Sequence, residues 1–416
     1  MFIKLNVMKR NLIDLYHVWM NEMKVVVRDP ALILIFLIVP GFYPLLYGFL
    51  FNNEVVSEVS MVVVDESQSA LSREFVRDLD ASHDVYVVGK VADMEEAKRV
   101  MAGKEASGIL YIPSDFSNNI NTGRQSTVRL YADMSSILNY KAMMLSVTEV
   151  SLKMGADIRV EKIGGKTAVE DEAVGQFVRN EWVSYYNIPN GFCAFFIPAV
   201  LILIIQQTML LGISTLVGTN NDRKRYSVAS RSVSGKRINP FVVTFGKAMC
   251  YISIYTVVVV WVLGIVPYIF NLPQLGDPWV LLAFCLPFML SCTFFCMSLS
   301  YFCPQREFGI LMFAGTSVIF LFLSGVSWPW IAIPGPLKAI AMLIPSTPGI
   351  QGFIKINTMG ASLGAVWFEV ATLWIQTLFY WIAATLMYKW WLNCYDPVYK
   401  RYRRINNRYV IKSLVV

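Results

Sequence analysis

Histidine is almost absent: His17 and His83 are the only two in 416 residues. That excludes chemistry built on imidazole clusters, including His-ligated metal centres and Ser-His-Asp hydrolysis. It also argues against an intramembrane lipid-modifying enzyme, which would gather His, Asp or Glu at one membrane face. His17 reads as a polar-face residue, and His83, between Ser82 and Asp84, as a turn residue. The stretch Asn52–Asn190 has no cysteine, so a disulfide framework is excluded there. Of the seven cysteines, Cys193, Cys250, Cys285, Cys292, Cys296 and Cys303 lie in or beside apolar runs, and Cys394 lies just past the last one. Cys292 and Cys296, four apart on one helix face, read as small packing residues. Runs of Asp, Glu or His inside the apolar stretches are missing, which argues against a proton relay. A phosphate-binding loop is missing too. Gly165-Lys166-Thr167 imitates its end, but the required first glycine is Val160. The chain shows no energy source of its own and no sign of being an enzyme.

What is present is apolar sequence. The chain is 56% hydrophobic with mean hydropathy +0.50, the composition of a membrane protein. A spanning helix takes roughly 20 apolar residues, and six stretches qualify: Ala31–Phe51, Phe192–Val217, Phe241–Phe270, Trp279–Phe302, Gly309–Val326 and Trp367–Trp391. Ile331–Ile350 is apolar but carries Pro334, Pro336, Pro345 and Pro348. It reads as a broken, re-entrant hairpin within an outer segment, residues 328–366.

Charge divides with the same pattern. Asn52–Asn190 holds 14 Lys/Arg and 21 Asp/Glu, net −7, and the rest of the chain is net +14. Basic residues gather before the first span (Lys4, Lys9, Arg10, Lys24, Arg28), between the second and third (Arg223, Lys224, Arg225, Arg231, Lys236, Arg237), at Arg306, and in the tail, residues 392–416. These are alternate loops. The positive-inside rule therefore places them and both termini in the cytoplasm, and the acidic insert outside.

Residues Asn11–Val27 predict an amphipathic helix at the membrane surface. Leu12, Leu15, Tyr16, Trp19, Met23 and Val26 form its apolar face, and Asp14, His17, Asn21, Lys24 and Arg28 the opposite one. The insert predicts a small α/β domain. Its strands are Val59–Val64, Val85–Val88, Ser107–Ile112 and Thr127–Tyr131. Its helices are Leu71–Leu79, Asp93–Met101, Pro113–Ile120 and Ser135–Lys153, with another over Val174–Tyr186. Inside the second span lie Gln206, Gln207 and Thr208, which read either as helix–helix hydrogen-bonding groups or as the lining of a path. Glu369, near the end of the last span, reads as a side chain snorkelling to water. The basic loop 218–240 fits anionic lipid head groups by charge alone, and a short helix docking another protein by charge and length together.

Four segments carry a resemblance. They are Val27-Arg28-Asp29-Pro30 before the first span; Gly218-Thr219 through Asn239-Pro240 to Gly246-Lys247; Phe322-Leu323-Ser324-Gly325 followed by Trp328-Pro329; and Pro345-Ser346-Thr347-Pro348. In this order the chain resembles the permease subunit of ABC-2 type exporters, in the drug-and-envelope branch with a large domain between spans 1 and 2. Where that family has a Glu-rich element in its cytoplasmic loop, this chain has Asp222-Arg223-Lys224-Arg225.

The resemblance implies a six-helix membrane all-α fold with an inserted extracytoplasmic α/β domain (residues 52–190), in a bacterial inner membrane. It implies a second permease copy or paralogue forming a dimer, and a separate ABC ATPase subunit that supplies ATP and Mg. A periplasmic adaptor with an outer-membrane channel is a further implied partner. It assigns ATPase coupling to Trp19, Arg28, Asp222, Arg223, Lys224 and Arg225, and the translocation path to Gln206, Gln207, Thr208 and Ser324. The rival reading is a membrane-anchored sensor or scaffold whose outer domain binds a ligand. Against it stand five further spans and the want of a cytoplasmic output domain.

Overall fold

A computed structural model supplies the structure, which describes residues 2–50, 57–163, 192–222, 238–272 and 274–395. The chain divides into two compact units, residues 53–185 and the remainder.

The membrane unit opens with α1 (Phe2–Arg28), a longer helix than the sequence predicts. Its inward stripe is Asp14, Val18, Glu22 and Val26, all buried. This corrects the expected polarity, because Leu12 and Tyr16 are exposed. In a membrane the apolar face can meet lipid, so the protein-facing stripe is free to carry paired polar groups. Asp29 then ends α1, and its carboxylate accepts from Ala31 N at 3.1 Å, capping α2 (Pro30–Leu50) with Pro30 at the favoured first position.

The remaining long apolar helices are α7 (Phe192–Asp222), α8 (Pro240–Ile269), α9 (Pro278–Ser300), α10 (Phe308–Leu323) and α13 (Trp367–Tyr395). Asn239 and Asp277 cap α8 and α9 through their side chains. Helix α7 runs to Asp222 where the sequence predicts a loop from residue 218, because Thr219 returns its hydroxyl to Thr215 O and Asn221 finds partners outside the helix. The proline-rich segment forms α11 (Gly335–Ala341) and α12 (Ser346–Met359), bent by 86°. Pro336 lies in the first turn of α11, and Pro345 directly precedes α12. The prolines therefore start helices and do not interrupt them.

The packing of α7 explains two of its glycines. A Cβ on Gly212 would overlap the Phe36 ring of α2, and one on Gly218 would overlap the backbone of Gln305. We expect Gly218→Val to cost about 1–3 kcal/mol, because a carbonyl cannot rotate away as a side chain can. Thermal unfolding in detergent measures it, and an unchanged midpoint would contradict the close approach.

The insert carries β1 (Val59–Asp65), α3 (Ala70–Asp80), β2 (Val85–Val91), α4 (Met94–Ala102), β3 (Gly108–Ile112), α5 (Phe116–Asn121), β4 (Arg129–Ala132) and α6 (Ile137–Ile163). The sheet order is β2-β1-β3-β4, parallel except for the β3–β4 pair. Central β1 is buried on both faces, hence its unbroken apolar run. Met61 and Val63 meet α3 and α6 on one face, and Val62 and Val64 meet Ala97 of α4 on the other. Ser69 and Asp93 cap α3 and α4. His83 is exposed, 3.2 Å from Asp84. The helix expected over Val174–Tyr186 lies outside the described residues.

Candidate functional site

Four layers of polar groups run through the membrane unit. The first joins α1 to α8. Gly246 allows close approach: a Cβ there would sit 3.0 Å from Val18 and 3.2 Å from the Leu15 carbonyl. One residue on, Lys247 Nζ donates to Glu22 Oε1 at 3.1 Å, and Tyr251 OH donates to the same oxygen at 2.6 Å. Glu22 and Lys247 are buried, and the ammonium also lies over the Tyr388 ring at 6.0 Å. Sequence reading missed this pair. The available signal was Lys247 itself, a charge eight residues into an apolar span, which requires a partner. Trp19, which the resemblance assigns to ATPase coupling, donates from Nε1 to Ser253 Oγ of α8 at 3.3 Å.

At the Asp222 end of the bundle, Arg28, Asp29, Lys24 and Arg306 line a cavity of about 420 Å³. Arg306 N donates to Asp222 at 3.3 Å, and its guanidinium lies 3.8 Å from Asp29. Asn221 accepts from Trp391 Nε1 at 2.9 Å and donates to Cys303 O at 2.8 Å. These contacts tie the ends of α1, α7, α9 and α13 together beside the expected coupling residues Arg28 and Asp222. Arg223, Lys224 and Arg225 lie outside the described residues.

Midway along α7, Gln206, Gln207 and Thr208 are all buried. Gln206 Oε1 accepts from Cys292 Sγ at 3.6 Å, and Gln207 Oε1 from Thr316 Oγ1 at 3.4 Å. Thr208 Oγ1 donates to Ile204 O at 2.7 Å and accepts from Tyr255 OH at 3.0 Å. Thr208 is thus a helix–helix hydrogen-bonding group. The two amide nitrogens, Nε2 of Gln206 and of Gln207, are buried without a partner among the described residues. A buried unmatched donor is costly, so both amides keep an unsatisfied donor inside the bundle.

At the Ser324 end, a cavity of about 420 Å³ is lined by Ser324, Gly325, Trp330, Gln351, Lys355 and Glu369, among others. Ser324 Oγ donates to Leu321 O at 2.6 Å. Glu369 does not snorkel as expected. It is buried, and its Oε1 accepts from Lys355 Nζ at 2.6 Å, because α12 runs alongside the start of α13. Among the described residues Glu369 Oε2 and Gln351 Nε2 face no partner. Ser324 and the Gln206–Thr208 group therefore belong to different layers. Among the described residues no cluster of His, Cys, Asp or Glu could hold a metal.

Among the described residues six helices are long and apolar enough to cross a membrane, which fits a multi-pass membrane protein. The sequence model of the ABC-2 family transporter protein matches residues 30–386. The chain belongs to the ABC-2 transporter family. No curated protein matches it.

Proposed function

We propose that the chain is the transmembrane subunit of an ATP-binding cassette exporter, moving an amphipathic drug, lipid or peptide-like molecule outward with a separate ATPase. The observation that carries this reading is the Glu22–Lys247–Tyr251 lock. It ties the surface helix α1 to the third span, so force applied to α1 reaches the bundle and is not lost in a hinge. The basic loops fix α1, the 223–237 segment and the tail on the cytoplasmic side by the positive-inside rule, where an ATPase would act. The acidic insert then faces outward, with the bent α11–α12 pair on its side of the membrane. Two such chains pair around a shared path, and the buried amides of Gln206 and Gln207 offer it hydrogen bonds. ATP and Mg belong to the partner. An adaptor and outer-membrane channel would continue the route.

The test uses the cognate ATPase subunit that this reading requires. Replacing Arg223, Lys224 and Arg225 with Ala is expected to reduce stimulation of its ATP hydrolysis at least about ten-fold, with membrane insertion intact. Unchanged copurification and unchanged stimulation would defeat the docking scheme.

A further inference from the structure

The insert holds a cavity of about 640 Å³, within the usual size of small-molecule sites. Phe75, Phe116, Met154 and Ile158 give it an apolar floor. Arg124 and Arg159 stand at its edge, both exposed. Among the described residues neither guanidinium has a carboxylate within ion-pair distance. Two lysines of the insert do pair, Lys98 with Glu95 and Lys153 with Asp78. The two arginines stand together at one cavity in a segment whose net charge is −7. Arg159 Nε donates to Gly155 O at 3.1 Å, which leaves the terminal nitrogens available. Ser126 also lines the cavity, and its hydroxyl is buried without a partner among the described residues.

Gly155 supplies the independent observation. It lies in the interior of α6, four residues from Ser151 and four from Arg159, and all three line the cavity. Glycine inside a helix destabilises it relative to alanine. At Gly212 and Gly218 a close neighbour explains the glycine; at Gly155 a Cβ would meet nothing within 4 Å. No turn explains it either, since the helix continues to Ile163. What the missing side chain preserves is the volume between the apolar floor and Arg159.

We propose that this cavity binds a small amphipathic carboxylic acid. Its alkyl or aryl body covers the Phe75, Phe116, Met154 and Ile158 floor. Its carboxylate accepts from Arg124, Arg159 and the Ser126 hydroxyl, the planar forks of the two arginines matching a carboxylate better than a point charge would. A cationic amphipath is repelled by the same groups, and a neutral one leaves both guanidinium groups unmatched. This inference is independent of the export reading, because it concerns the insert alone.

The full chain in nanodiscs of zwitterionic lipid, titrated with octanoate, octanol and octylammonium by calorimetry, tests it. Octanoate is expected to bind saturably, and octanol at least about ten-fold more weakly. Octylammonium is expected not to bind. Replacing Arg124 and Arg159 together with Ala should weaken octanoate at least about ten-fold. Gly155→Phe should abolish saturable binding. Gly155→Ala should raise the melting midpoint of the insert by about 3–4 °C. Should Gly155→Phe fail to fold, the two exposed arginines carry the test alone. Octanoate binding that is absent up to about 10 mM, unaffected by the arginine replacements, or matched by octanol overturns the proposal. So does a Gly155→Ala variant that melts lower, since the room at that position would then be spoken for.

Discussion

Lys247→Ala is expected to destabilise the membrane unit by about 3–5 kcal/mol, the cost of leaving one member of a buried ion pair without the other. Glu22 is 4% exposed, so its carboxylate cannot recover hydration once the ammonium is gone. Tyr251 OH would be its one remaining partner among the donors described. The removed side chain also vacates the space over the Tyr388 ring. The same reasoning predicts recovery. In a Glu22→Gln, Lys247→Met double variant no charge is buried, and the Gln oxygen still accepts from Tyr251. Stability should return to within about 1 kcal/mol of the parent, since uncharged replacement of a buried pair is often neutral. Unfolding followed by tryptophan fluorescence in detergent measures both variants. A single variant as stable as the parent, or a double variant no better than the single, would mean the pair does not hold α1 against α8. Export and stability then separate usefully. The double variant retains the fold but loses the charged lock, so its ATPase coupling reports whether charge or mere packing transmits force between α1 and α8.

Much of this architecture was legible in the sequence because membrane helices obey a single strong constraint. Backbone polar groups in hydrocarbon must be satisfied within the segment, so each apolar run of sufficient length became a helix. The boundaries moved by one to a few residues at capped ends such as Asn239 and Asp277, and by five at Asp222. The strands of the insert were legible for a related reason. Central β1 is a continuous apolar run because both its faces are covered. The site was less legible. Gln206, Gln207 and Thr208 stand out as polar residues in an apolar run. Glu22 does not, sitting in Met-Asn-Glu-Met-Lys on a helix whose apolar periodicity points the other way. Its role follows from the approach of α8 at Gly246, a tertiary contact that periodicity along one helix does not encode. Glu369 was misjudged for the same reason, because Lys355 comes from a separate helix 14 residues earlier.

The pair Lys355–Glu369 is expected to respond asymmetrically to mutation. Its side chains are 44% and 5% exposed. Glu369→Gln leaves a lysine that can reach water, so the loss should stay below about 1 kcal/mol, the worth of a half-exposed pair. Lys355→Ala leaves a buried carboxylate whose Oε2 already lacks a partner, and about 3 kcal/mol is expected. The pair also fastens α12 to α13 beside the cavity that holds Ser324 and Gln351. Loosening it should therefore change transport in a way that stability alone does not. In proteoliposomes, Glu369→Gln is expected to keep the fold and alter transport, because it removes the charge that fastens α12 to α13 beside the cavity. Equal destabilisation by the two single replacements would show that Glu369 reaches water after all, and the Ser324 cavity would then be an open surface groove with no buried charge to neutralise.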